Sequence, residues 1–432
     1  MQPVSLVADT LVVKDSESYI IYSPFSGKIA RVPAYPDIGF AVYEALENTG
    51  FFGKVPDTTK RDTVQTWDGF HSLTLLLTRR CNLGCSYCYA SAKPTGNSML
   101  EELAVGSLEW FIRQLRNDSI RVSFHGGGEP TLESNLIKTV VARAKEICGK
   151  KKLRFQVVTN GTANAEFMDW LADEKFGISI SMDGPPDIQD RNRPLAIGGG
   201  SSVVVEQTIR RLVAQNYPFT VRLTFSPADD IVRIIRYFGN LGVRSLHIEP
   251  LFPHGREYEV VAFGKRQNLY DIYSPEGGEL LVSFLKAIEI AKEYGMRITN
   301  GHLSHFTKGV GYFCGAASGR SMMVTHDGFL SGCLEVVDAQ DKDSKIFFLG
   351  RYLPYERRFE LNENQLATMQ NRHADALPEC KTCYARYTCA GGCAVKAVRA
   401  SGDFFERDLP YCRFTKALVP IIVKRIAQAS NI

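Results

Sequence analysis

From about residue 72 onward, short apolar runs alternate with amphipathic stretches. LTLLLT (73–78), RVSFHG (121–126), LRFQVVT (153–159), GISISM (177–182), TVRLTF (220–225) and LHIEP (246–250) read as strands. LEELAVGSLEWFIRQL places Leu100, Leu103, Leu108, Phe111, Ile112 and Leu115 on one helix face. SNLIKTVVARAKEI, EQTIRRLVAQ and IVRIIRYFGNLG repeat that spacing, and GELLVSFLKAIEIAKEYG closes the region with a longer helix. Six β/α repeats predict an α/β fold, a parallel sheet with helices outside, either open or curled as a partial barrel. Such folds carry their chemistry at the C-terminal ends of the strands.

The flanks differ. Residues 1–70 read as a small α+β unit: SYIIYSPFSGKIARV gives two strands around a turn, and DIGFAVYEALENTG gives a helix stopped at Gly50. The core region is bounded at 71–300. Residues 301–432 are loop-rich, hold seven cysteines and end in the apolar helix TKALVPIIVKRIAQA. A loop-rich stretch of this size lacks an ordinary core, and metal ligation would supply the missing stability. IGGGSS (197–202) reads as a flexible loop.

Composition narrows the choices. The 432 residues are 44% hydrophobic and 23% charged, with a net charge of +4 and no long block of one sign, so nucleic-acid binding is not indicated. No run of eighteen apolar residues is present and the first thirty residues lack a signal-peptide pattern, so a cytoplasmic protein without a membrane span is expected. Eleven cysteines, an odd number, fit a disulfide framework poorly. Cys148 stands alone at a helix end and reads as a packed structural thiol.

Cys81, Cys85 and Cys88 have the spacing C-x3-C-x2-C just beyond the first strand. Three thiolates can hold three irons of a [4Fe–4S] cube and leave the fourth iron open. A structural zinc wants four closed ligands, which this loop does not offer.

Other strand ends carry a resemblance. The cysteine spacing with Tyr87 before the third cysteine, then Gly127, Gly128, Glu129 and Pro130 after the second strand, VVTNG at the end of the third and SISMDGPPDIQDRNRP after the fourth resemble the radical S-adenosylmethionine (SAM) enzymes. The likeness covers about residues 72–300, in the right order. It implies a partial (β/α)6 barrel with a [4Fe–4S] cluster whose open iron chelates SAM. Gly127 and Gly128 would let the backbone approach the methionine end, and Glu129 would accept from its amino group. Tyr87 would lie near adenine, Thr159, Asn160 and Ser181 near the ribose hydroxyls. Arg193, rather than Arg191, would pair with the methionine carboxylate. His125 reads as a strand-end histidine. The reduced cluster would cleave SAM to a 5′-deoxyadenosyl radical that abstracts a substrate hydrogen.

The seven C-terminal cysteines resemble the SPASM extension of peptide-modifying radical enzymes, which implies two auxiliary iron–sulfur clusters. Cys380, Cys383, Cys389 and Cys412 would hold one, and Cys314, Cys333 and Cys393 the other. Many relatives carry a further cysteine shortly before the first of the seven, which HFTKGVGYFC lacks. The inner cluster would then have an open iron, a non-cysteine ligand such as His305, or a smaller nuclearity. The N-terminal unit weakly resembles a peptide-recognition element, and its simplest role is a lid on the barrel. The resemblance as a whole implies a maturase that crosslinks side chains of a ribosomally made precursor peptide. Its electron donor would be a flavodoxin or ferredoxin. Formylglycine formation in a sulfatase, epimerisation, and a cluster-bearing scaffold without radical chemistry are the alternatives.

Overall fold

Period-two runs of apolar residues pair into sheets wherever one face can be buried. The computed structural model of the chain describes residues 10–33, 40–49, 51, 69–226, 229–251, 259–262, 265–268, 278–300 and 311–429. His305 and residues 252–256 lie outside the described residues.

β1 (Leu11–Asp15), β2 (Ser18–Tyr22) and β3 (Ile29–Pro33) form a separate antiparallel sheet, with helix α1 (Phe40–Asn48) after it. β1 precedes the two strands read from the sequence. All six strands of the core repeat follow: β4 (Ser72–Leu75), β5 (Ser119–Phe124), β6 (Lys152–Thr159), β7 (Gly177–Ser181), β8 (Phe219–Phe225) and β9 (Ser245–Pro250), each parallel to the next. Between and after them come α2 (Glu101–Gln114), α3 (Ser134–Ile147), α4 (Ala165–Asp173), α5 (Pro186–Asn192), α6 (Ser202–Ala214), α7 (Ile231–Asn240) and α8 (Gly278–Glu293). One strand face, including Leu75, Val122, Val157, Ile180, Val221 and Ile248, is buried with Ile137 of α3, Ile209 of α6 and Phe238 of α7 in a single core.

The sheet is wider than six repeats. After a short hairpin, β10 (Glu259–Ala262) and β11 (Lys265–Asn268), strand β12 (Arg297–Thr299) joins beside β9. Strand β13 (Ser321–Val324) joins beside β4, also parallel. β14 (Phe329–Ser331), β15 (Phe348–Leu353) and β16 (Arg358–Leu361) continue antiparallel from β13. The order β12-β9-β8-β7-β6-β5-β4-β13-β14-β15-β16 never closes on itself, so the barrel is partial. The sheet also crosses residue 300, so the cysteine-rich end is built on the barrel's own edge and is less loop-like than its sequence reads. β12 and β13 are too short for periodicity to reveal.

The C-terminal region adds α9 (Glu363–Gln370), α10 (Ala394–Ser401) and α11 (Leu409–Ala429). Among the described residues the first sheet packs on α11. Its Ile20 and Tyr22 pack on Val419, Val423 and Ala427 of α11, and Ile21 and Val32 pack with Phe51 and Leu46 on the other face. Asp15 ties the two units, accepting from Arg31 at 2.7 Å and Lys424 at 2.9 Å. Pro420 sits inside α11 and cannot donate to the carbonyl of Lys416. The Tyr384 hydroxyl donates to that carbonyl instead, at 2.8 Å. No helix among the described residues is long and apolar enough to cross a membrane.

Candidate active site

Opposite the helix-covered core, the inner strand faces carry polar side chains, among them Ser181, Arg222, Thr224, His247 and Glu249. The strand ends open into a cavity of about 590 Å³, reached by Cys81, Cys85 and Cys88 on one side and Cys314 and Cys393 on the other. Every strand from β4 to β9 contributes to its wall directly or through the loop that follows.

The three-cysteine loop is pinned to the segment after α5. Gly84 N donates to Pro194 O (2.8 Å), Ser86 N to Asn192 O (3.0 Å) and Ala196 N to Asn82 O (3.0 Å). Those bonds bring Arg193 beside Cys85, with Nη1 4.0 Å from the sulfur and the guanidinium 5.2 Å from the Tyr87 ring centre. Burial pushes the Cys81 thiol up to about 12, and Glu129, Cys85 and Cys88 add to the shift. Such clustered, desolvated thiols release their protons to a cationic metal centre far more readily than to water. All three line one cavity of ligand size.

The glycine-rich turn has a packing reason that the sequence hides. A Cβ at Gly128 would stand 2.0 Å from the Arg80 carbonyl, and one at Gly127 would meet Thr78 O at 2.8 Å with φ at +75°. The turn must therefore lie flat on the segment between β4 and the cysteine loop, whatever it binds. Glu129 is buried, and its carboxylate accepts from Thr131 N (3.0 Å), Thr131 Oγ1 (2.6 Å), Thr159 Oγ1 (2.7 Å) and Asn160 N (2.7 Å). Burial still outweighs these bonds and raises its pKa. Thr159 and Asn160 are thus committed to neighbours: Asn160 also donates to Asn82 Oδ1 at 2.8 Å and accepts from Thr162. They still line the cavity, as do Tyr87, Ser181 and Arg193.

Asp183, which the sequence did not single out, is the site's organising carboxylate. It is fully buried and accepts from the Tyr87 hydroxyl, from Asn192 Nδ2 (3.3 Å) and from Thr224 N (3.1 Å). Arg193 Nε approaches it at 3.1 Å. Asp183, Tyr87 and Cys85 outweigh the burial of Arg193 and hold its guanidinium firmly charged. Arg191 instead points outward to Asp229, at 2.5 Å.

Two sets of C-terminal thiols act on one another electrostatically. Cys380, Cys383, Cys389 and Cys412 are all buried. Burial, then charge on the other three, drives the Cys389 thiol well above its ordinary value. Cys333 is raised the same way by burial, Glu335, Cys393 and Cys314. Arg372, also buried, donates to Gly392 O (3.1 Å), Phe404 O (2.7 Å) and Glu406 O (2.8 Å), and so knots the turn between Cys389 and Cys393. Glu335, which the sequence did not single out, faces Cys333 and Cys393 with its Oε2 held by Arg399 at 3.0 Å. Cys148 is half-buried, with its thiol donating to Lys145 O at 3.3 Å. Its place at the core's margin fits a structural role.

Comparisons with known proteins agree with this geometry. Residues 75–254 match the family model of the Radical SAM superfamily. A stretch of 194 residues, 44% of the chain, is 28% identical to an uncharacterized protein of Methanocaldococcus jannaschii and spans 66% of it. A serine-type anaerobic sulfatase-maturating enzyme of Klebsiella aerogenes is 22% identical over 82% of this chain and 86% of its own length. Among solved structures, anSMEcpe with bound AdoMet superposes with a TM-score of 0.67 at 20% identity, covering 83% of this chain and 99% of that one. Streptococcus suis SuiB bound to its precursor peptide SuiA gives 0.54 at 10% identity, covering 93% and 98%.

Proposed function

We propose, from the premise that this chain is a radical SAM enzyme with a SPASM-type cysteine-rich C-terminal region, that it modifies side chains of a ribosomally made precursor peptide and closes an intramolecular crosslink. The observation that carries this reading is the single cavity joining the Cys81 loop to Cys314 and Cys393. A peptide side chain placed there touches the hydrogen-abstracting site on one side and an electron-accepting thiolate centre on the other, which suits net oxidation. Cys81, Cys85 and Cys88 would hold the SAM-binding cluster, and the two C-terminal groups the auxiliary ones. When bound, SAM and the reduced cluster supply a 5′-deoxyadenosyl radical.

The chain's own residues do the rest. Tyr87, Asp183 and Arg193 form a rigid, charge-balanced wall whose remaining Arg193 N–H groups face the methionine carboxylate. Glu129, with three donors on Oε1 and one on Oε2, keeps one lone pair of Oε2 for the amino group. Ser181 reaches a ribose hydroxyl, and Thr159 and Asn160 hold the backbone that borders it. Val158, Leu251, Leu334 and Phe313 keep water from the path between the two centres. The N-terminal sheet, whose outer strands β1 and β3 pair with no further strand among the described residues, offers an edge to the leader of the peptide.

A second reading has its own support, because the sulfatase-maturating enzymes match most of the chain and give the higher TM-score. It is oxidation of one serine or cysteine to formylglycine. Co-expression with small peptides encoded beside the gene, followed by tandem mass spectrometry, separates the two. A crosslink loses two hydrogens and resists fragmentation between the joined residues. Formylglycine from serine has the same mass change but is trapped by hydroxylamine. A mass-neutral, stereochemically altered product would refute both.

A further inference from the structure

Two polar groups on the cavity wall are used by nothing so far described. Arg222 stands on the inner face of β8, in register with Ser181 of β7 and His247 of β9. Among the described residues its guanidinium makes no hydrogen bond and no ion pair. The nearest carboxylate, Glu249, is taken by His247, Nε2 to Oε1 at 3.2 Å. His125, at the end of β5, has a buried Nδ1 with no hydrogen-bond partner. Burial, reinforced by the charge of Arg222, keeps its ring neutral.

A guanidinium presents five donors, and leaving them unmet out of water is costly. Arg193 meets that cost with Asp183, and Arg372 with main-chain carbonyls; Arg222 is half-buried and opens its donors to the cavity. Its shape matches a carboxylate, which it can bind through two parallel N–H bonds. His125 lines the same cavity, and its neutral imidazole carries one N–H donor.

We propose that Arg222, seconded by His125, is a substrate-recognition subsite that takes a carboxylate of the peptide close to the residue being modified. The inference rests on the reading of the cavity as the peptide site. The carboxylate is either an aspartate or glutamate side chain or the peptide's C-terminus, since both offer the same two oxygens.

The test uses the reconstituted holoenzyme with SAM and three probes followed by ligand-detected NMR titration. These are N-acetylglycine for a terminal carboxylate, N-acetylaspartate α-methylamide for a side-chain carboxylate, and N-acetylglycine methylamide as the uncharged control. At least one carboxylate probe is expected to bind about tenfold tighter than the control, the size of one charge-assisted pair, and the tighter one identifies the source. Arg222→Met removes the preference, Arg222→Lys keeps part of it, and His125→Phe reduces it less. SAM affinity by equilibrium dialysis stays within about twofold in all three. The lysine variant, which keeps the charge, decides the matter if the methionine variant loses its iron. No carboxylate preference in the wild type overturns the proposal, and so does a preference that survives Arg222→Met. A large loss of SAM affinity in the Arg222 variants assigns the guanidinium to the cofactor instead and also overturns it. A carboxylate preference that behaves as expected, with no peptide ever modified, leaves the subsite standing and sinks the peptide reading.

Discussion

The barrel and the C-terminal region hold their cysteines in opposite ways. Cys81, Cys85 and Cys88 are half-buried on one loop, and the fold beneath them is a complete hydrophobic core in which the loop takes no part. Cys380, Cys383, Cys389 and Cys412 are buried themselves, and Cys383 and Cys389 pack inside the hydrophobic clusters around them. The first arrangement leaves its thiols facing the cavity; the second encloses them. A thiol that serves reactivity can be lost without the fold, whereas a thiol that replaces a core cannot.

The sharpest way to break this contrast is a pair of substitutions. Cys85→Ala is expected to abolish SAM cleavage while the thermal midpoint moves by no more than about 3 °C. Cys389→Ala is expected to cost several kcal/mol, on the order of losing a structural metal site, with iron lost from the C-terminal region and the protein aggregating. Scanning calorimetry with iron and sulfide assays reads both, and equal stabilities would dissolve the distinction.

Asp183→Asn probes the electrostatic wall of the barrel site. It leaves Arg193 buried beside a neutral amide, so a loss of about 2–4 kcal/mol is expected, with weaker SAM binding. Equilibrium denaturation and dialysis check it, and unchanged values would remove Asp183 from the site's framework. A smaller effect depends on pH. His125 is held near 3 in the folded chain against an ordinary 6.5, with burial as the main cause. Between those values the unfolded chain binds the extra proton, so stability rises with pH and falls as the pH drops below 6.5. A slope of about 1 kcal/mol per pH unit is expected, and His125→Phe should flatten it in urea titrations at successive pH values. The smallest effect is Tyr384→Phe, which orphans the Lys416 carbonyl beside Pro420 and should cost about 1 kcal/mol, read as a small drop in urea midpoint.

The same contrast decides what the chain could tell in advance. Six strands and the residues at their ends were legible, because period-two runs and fixed motif spacings are local signals. The division of the seven late cysteines into two ligand sets is what the resemblance implies, and it stays a proposal. What escaped is what only three dimensions assemble. Asp183 looks like half of a turn until Tyr87, Asn192, Arg193 and Thr224 N arrive from three other segments. Arg222 looks like an ordinary polar position of a strand until its lack of hydrogen-bond partners among the described residues is seen. Gly128 looked like an adaptation to a ligand, while its nearest obstacle is Arg80 O. β12 and β13 carry too few residues for any period, and the docking of the first sheet on α11 joins residues some four hundred positions apart.

The central claim is that this cavity performs radical chemistry at the Cys81, Cys85 and Cys88 centre. It is tested most directly by incubating the anaerobically reconstituted protein with SAM and dithionite and quantifying 5′-deoxyadenosine by liquid chromatography and mass spectrometry. The wild type is predicted to form it and Cys85→Ala to form none, with the rate rising when a true peptide partner is present. A wild-type protein with its full complement of iron and sulfide that makes no 5′-deoxyadenosine, with or without peptide, would contradict the account.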